Sequence, residues 1–347
     1  MKENIHGGDI YSHKNVIDYS ANCNPFGVPR GVAKAICEAA ERINHYPDVN
    51  ASELRKALSE HIGVAENRIF FGSGAAEVIF NIAFGLKPKK ALLTAPSFAE
   101  YKEALDAAGT QIEYYRTYEE KGYEIQDNIL DFIEDDLDIM FICNPNNPTG
   151  TLASKGLISR VAEKCREKSV VLVVDECFMD FTAAQDSCSV MRMIDNFDNI
   201  IILKAFTKIY AMAGVRLGYC LCANSSIMEA LDKVRQPWNL SNLAQSAGMA
   251  ALKEEQYVKD SLKAVNSERK RLIEALSEMG FKIYGSKANY IFFKGREDLY
   301  ERALEKGFLI RDCSNYEGLD KGYYRIAVKL AAENDKLLDA FKSIIND

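Results

Sequence analysis

Residues 139–150 read IMFICNPNNPTG. An unbroken apolar run, without the polar alternation of a half-exposed strand, fits a strand covered on both faces. The residues after it are prolines, asparagines, a threonine and a glycine, which make a rigid turn. A turn by itself does not explain so many amides at one sheet edge. The same unit, an apolar run stopping on polar residues, recurs on either side. Downstream, 170–176 is VVLVVDE and 200–219 is IIILKAFTKIYAMAGVRLGY; upstream, 91–98 is ALLTAPSF and 68–77 is RIFFGSGAAE. These runs predict strands at 68–71, 91–94, 139–143, 170–174, 200–203 and 219–222, with helices at 76–86, 98–108 and 154–168. The alternation predicts an α/β domain built on a mostly parallel sheet.

After Asn239 the pattern changes. One long helical stretch runs towards Met279, charged on one face by Lys263, Glu268, Arg269, Lys270 and Glu274. Strand-like runs follow at 281–284, 289–293, 309–311 and 324–328, with a short helix near 300–306 and a final helix from Glu333. This predicts a smaller α+β domain. The expected division is an N-terminal segment, 1–44, belonging to the small domain; a large domain, 45–245; and the C-terminal part of the small domain, 246–347. No Pro- or Ser-rich linker separates the parts, so they should share a fixed interface, where clefts commonly hold ligands.

Composition narrows the function. A chain of 347 residues is longer than one compact core usually takes. Net charge is −7 and no run of Lys or Arg forms a nucleic-acid footprint. The N-terminus lacks the apolar stretch of a signal peptide, and no apolar run is long enough to span a bilayer, so a cytoplasmic protein is expected. The nine cysteines are odd in number and form no CxxC pair. They read as reduced, mostly buried thiols. The histidines, His6, His13, His45 and His61, have no metal-ligand spacing, so no metal is expected.

Ligands of an open parallel sheet sit beyond the carboxyl ends of its strands. Gly72-Ser73-Gly74-Ala75-Ala76 would let backbone N–H groups approach an anion at a helix start; a tight turn with no ligand explains it equally. Phe98 could stack on a flat ring or pack in the core. Asp175 ends an apolar strand, where a carboxylate needs a cation, a helix cap or a proton. Lys208 has apolar neighbours, which suits a nucleophilic amine more than a solvated one.

These motifs stand in the order found in the aspartate-aminotransferase-like enzymes of fold-type I, which use pyridoxal 5′-phosphate (PLP). The chain resembles that family over nearly its whole length. The specific elements are NPNNPTG (144–150), VVDE (173–176), and TK followed by AGVRLGY (207–208 and 213–219). The resemblance implies the PLP-dependent transferase fold, with Lys208 forming an imine with the cofactor and Asp175 keeping its ring nitrogen protonated. It implies Asn147 on the ring 3′-oxygen, Phe98 stacked on the ring, and Gly74, Ala75, Ala76, Thr207 and Arg216 around the phosphate. Tyr46 resembles the tyrosine that reaches the phosphate of a neighbouring subunit, which implies a homodimer, and Arg325 the arginine that grips the substrate carboxylate. Two positions depart from many relatives: Phe178 stands where a tyrosine would reach the 3′-oxygen, and Ala205 where a hydroxyl would reach the phosphate.

Within the family the chain is most similar to threonine-phosphate decarboxylases of cobalamin biosynthesis, and next to histidinol-phosphate aminotransferases. The stretches that carry this are His6-Gly7-Gly8, 19–27, Phe178, 236–239 and 309–319. The resemblance implies decarboxylation of L-threonine phosphate or L-serine phosphate, with His6, Arg311 and Asn22 helping to fix the substrate. For His6 a solvated terminal histidine, and for Arg311 a structural ion pair, remain open. The alternative is an aminotransferase of histidinol-phosphate or aspartate/aromatic type. A PLP-binding regulator is remote, since no segment is left for a helix-turn-helix.

Overall fold

The computed structural model describes residues 6–183 and 185–346. Its central sheet has seven strands: β1 (Ile69–Gly72), β2 (Lys90–Ala95), β3 (Gln111–Arg116), β4 (Ile139–Cys143), β5 (Val171–Asp175), β6 (Ile200–Ala205) and β7 (Gly218–Leu221). They lie in the order β1-β7-β6-β5-β4-β2-β3. The run from β6 to β3 is parallel, and β7 is antiparallel to both its neighbours. Every residue of β4 and β6 is buried. Alternate side chains go to opposite faces. Met140, Ile142, Leu172, Val174 and Ile202 enter one apolar cluster, and Phe141, Val173, Ile201 and Leu203 the other.

Six of these strands match the runs read from the sequence to within a residue or two. The seventh, β3, escapes that reading because it is an edge strand whose QIEYYR alternates between exposed and covered positions. The helices Gly74–Leu86, Ala99–Ala108 and Lys155–Glu167 fill the predicted gaps. The last starts where Ser154 Oγ accepts a hydrogen bond from Leu157 N at 3.2 Å, satisfying one of the free N–H groups of its first turn.

The single long helix expected after Asn239 is two helices, Asn242–Ala251 and Glu255–Glu278. No proline or glycine marks the break, so the helical period runs through it. A second, antiparallel sheet joins Arg311–Asp312, Tyr323–Ala327, Tyr290–Lys294 and Lys282–Ile283 in that order. Near the N-terminus, Ile17–Asp18 pairs in parallel with Phe308–Leu309. Tyr19 O then accepts from Ala327 N at 2.8 Å, and Asn24 N donates to Lys208 O at 3.0 Å. The segment from Tyr19 to Asn24 is therefore tied at one end to the small sheet and at the other to the turn after β6. No helix among the described residues is long and apolar enough to cross a membrane.

Candidate active site

The carboxyl ends of β1, β2, β4, β5 and β6 face one cavity of about 300 Å³. Because β7 runs the other way, its start lies at the same edge, and this brings Arg216 to the site. The turn after β1 is shaped for close approach. Gly74 has φ +79°, and a Cβ there would stand 2.3 Å from Arg216 Nη2. A Cβ on Gly218 would stand 2.4 Å from Ala75 N. Both positions therefore require glycine if the arginine is to lie over the start of the helix Gly74–Leu86. Ser73 makes no side-chain cap to that helix, so its first-turn N–H groups remain for an anion.

Asp175 ends β5, and its carboxylate accepts hydrogen bonds from neutral donors. Tyr101 OH donates to Oδ2 at 2.5 Å, and Cys177 N to Oδ1 at 2.8 Å. Burial, then the Asp175 charge, push the Tyr101 phenol well above its ordinary range, so it stays a donor. Burial likewise raises the Cys143 and Cys177 thiols, which keeps them protonated and unreactive. Lys208 follows β6, with Nζ 5.6 Å from the centre of the Phe178 ring. Phe178 in turn stands edge-on to Tyr290, whose hydroxyl donates to Asn146 O at 2.7 Å.

The opposite wall comes from the N-terminal segment and the small sheet. Arg325, buried, donates through Nη2 to Ser20 O at 2.7 Å and through Nη1 to Asn147 Oδ1. Among the described residues its Nε is buried without a hydrogen-bond partner. Asn22 is also buried, with Oδ1 unpartnered among the described residues. Arg311 is the direct cross-strand neighbour of Arg325, a like-charge pairing that is unfavourable without anions nearby.

Of the residues singled out from the sequence, Ala75, Ala76, Phe98, Asn147, Asp175, Thr207, Lys208 and Arg216 line this cavity from the large sheet's edge, and His6, Asn22 and Arg325 from the other side. Gly74 lies behind Arg216. Arg311 lines an adjoining cleft that shares His6, Gly7 and Ser20 with the cavity. Tyr46 is 80% exposed, its ring 4.7 Å from that of Trp238, and does not line the cavity of its own chain.

Sequence reasoning missed Glu100, Tyr101, Cys177 and Tyr316, which also belong to the site. Tyr101 had a signal: in the helix expected at 98–108 it stands three residues after Phe98, hence on the same face. Tyr316, whose hydroxyl donates to Asn147 Oδ1 at 3.4 Å, lies within the 309–319 stretch that carries the resemblance, but nothing local marks it as a site residue.

PLP fits these residues. A buried carboxylate stands ready for a ring nitrogen, an amine for an aldehyde, and a glycine-lined helix start with Arg216 for a phosphate. Among the described residues, no group of His, Cys, Asp and Glu could hold a metal ion.

The family profile of aminotransferase class I and II matches residues 14–341. A threonine-phosphate decarboxylase from Salmonella typhimurium is 36% identical over 98% of this chain and 96% of its own length. The solved histidinol-phosphate aminotransferase of Clostridium acetobutylicum is 33% identical, covers 94% of this chain and 98% of its own, and superposes with a TM-score of 0.89. The L-threonine-O-3-phosphate decarboxylase of Porphyromonas gingivalis is 25% identical, covers 95% and 99%, and has a TM-score of 0.84. Matched in sequence along almost all its length, with strand-end residues gathered in one cavity, this chain belongs to the class I and II aminotransferase family of enzymes.

Proposed function

We propose that the protein holds PLP on Lys208 and removes the carboxylate of a small O-phosphorylated amino acid, L-threonine O-3-phosphate or L-serine phosphate. The observation that carries this reading is Arg325. It is buried, hydrogen-bonded among the described residues to the neutral oxygens of Asn147 and Ser20, and beside a second arginine in register. A guanidinium in that setting calls for an anion, and its planar fork suits a carboxylate. The 36% identity to a threonine-phosphate decarboxylase supports carboxylate loss from a phosphorylated substrate.

When bound, the cofactor supplies an electron sink for the Cα bond standing perpendicular to its ring. The rest falls to the protein. Asp175, fixed by Tyr101 and the Cys177 N–H, keeps a proton on the ring nitrogen. Lys208 Nζ is the group placed to move a proton to or from the substrate's Cα. Arg325 holds the carboxylate, while His6, Arg311 and Asn22 take the phosphate end. Together they fix rotation about Cα, and that rotation selects between loss of the carboxylate and loss of the α-proton. Tyr46, exposed on its own chain, reaches the cofactor phosphate of a second copy, which makes the working unit a homodimer.

Incubation with L-threonine O-3-phosphate should release carbon dioxide and leave aminopropanol phosphate. The likeness to the Clostridium histidinol-phosphate aminotransferase favours a second reading, transamination. A keto product formed only with an added amino acceptor, and no carbon dioxide, would replace the first reading with the second.

A further inference from the structure

Glu100 stands in the first turn of the helix Ala99–Ala108, two residues beyond Phe98, and lines the cavity. Its Oε1 lies 3.4 Å from His6 Nε2, and its Oε2 is buried with no hydrogen-bond partner among the described residues. The charged groups that face it are His6 from the N-terminal segment, Lys208 from the turn after β6, Asp175 from β5 and Glu103 from its own helix. Burial, with the charges of Glu103 and Asp175, pushes its carboxyl up to about 7 against its own backbone N–H and Lys208, so a further cation beside it is needed to keep it ionised. A bare carboxylate would put a second negative charge beside Asp175, in a cavity that must also admit anions. The imidazole of His6 is the neighbouring group that brings a proton near neutrality. His6 also lines the adjoining cleft, whose other titratable groups are Asp9, His13, Tyr300, Arg311 and Asp312, so it stands between the two spaces.

We infer that Glu100 is a positioning residue for the phosphate end of the substrate: its carboxylate holds His6 as the imidazolium at the cavity's edge, and the phosphate meets that imidazolium. The inference rests on the reading that the substrate carries a phosphate, and is independent of which Cα bond breaks. An imidazolium paired with a carboxylate keeps its proton to higher pH than a free one. The pair adds no net charge, yet it presents a cation to the ligand.

The test is calorimetric titration of the PLP-loaded enzyme with O-phosphoethanolamine, which carries amine and phosphate but no carboxylate, over a range of pH. Wild-type affinity should weaken with rising pH as the imidazolium loses its proton. Glu100→Gln should bind about tenfold more weakly near neutrality, the scale of one charge-assisted hydrogen bond, and its loss of affinity should begin at lower pH, towards the ordinary histidine value of about 6.5. Glu100→Asp should recover part of the affinity. His6→Asn should weaken binding as much as Glu100→Gln, and the double variant no further. Failure of the wild type to bind would overturn the phosphate reading itself. Wild-type binding that Glu100→Gln leaves unchanged in strength and pH dependence would overturn the role of Glu100. If that variant does not fold, unchanged binding by His6→Asn overturns it as well.

Discussion

Asp175 and Arg325 face the same cavity from different sheets, and their surroundings differ in kind. Asp175 is held within one layer: Tyr101 lies on the helix after β2, Cys177 two residues further along the chain. Arg325 is held by pieces remote in sequence, Ser20 near the start and Asn147 after β4. The Asp175 wall is set by the register of seven strands. The Arg325 wall depends on a two-residue pairing, Ile17–Asp18 with Phe308–Leu309, and on the bonds that continue it through Tyr19 to Ala327. The first wall suits chemistry common to the family. The second can change with the substrate while the sheet stays intact.

The contrast can be broken by substitution. The largest effect is expected at the sheet's edge. Asp175→Asn keeps the shape but not the charge, and turnover should fall by about 10³-fold, the scale for losing a fixed electrostatic partner of the reacting group. Steady-state kinetics with a saturating substrate checks it; kcat within a few-fold of wild type would show that the carboxylate does not govern the chemistry. Arg325→Lys should act on binding instead. It keeps the charge and loses the fork, so KM should rise by about 10- to 100-fold with less change in kcat. A large fall in kcat at unchanged KM would erase the distinction between the walls.

The smallest effect concerns how the two layers are joined. Glu119, next to the large sheet, accepts hydrogen bonds from Tyr323 at 2.6 Å and Tyr284 at 2.8 Å and pairs with Lys282 and Lys294, all from the second sheet's side. Lys282, then Tyr323, hold its carboxyl down from 4.5 to about 2. A carboxyl depressed in the folded state stabilises it above its unfolded value and loses that contribution as pH falls through the folded value. Thermal stability of the wild type should therefore drop between pH 4.5 and about 2 partly through this group. Glu119→Gln should lower the melting temperature at neutral pH and lose less of it on acidification. Parallel melting curves for the two proteins would remove Glu119 from the joint.

How far the sequence discloses this arrangement follows the same division. Strands β4, β5 and β6 are legible because both faces are covered and their apolar runs are unbroken. Asp175 is legible as the first polar residue after its apolar run, and Asn147 and Lys208 through the NPNNPTG and TK motifs that follow theirs. β3 is hidden because an edge strand needs only alternate covered positions. The other wall is less open to reading. Arg325 and Arg311 are visible through their resemblance to known relatives, yet their pairing across two strands follows from tertiary register. Glu100 sits in an ordinary helical first turn, and only burial beside His6 distinguishes it from a solvated glutamate. Tyr46 carries no local signal of its own, since it is exposed in the chain that bears it.

The central claim is that the amine at the end of β6 captures the cofactor. Enzyme incubated with PLP, reduced with borohydride, digested and analysed by mass spectrometry should yield one peptide carrying a phosphopyridoxyl group on Lys208, and Lys208→Ala treated alike should yield none there. An unmodified Lys208 in fully reduced, cofactor-treated wild type, or a stable adduct on another lysine instead, would contradict the account.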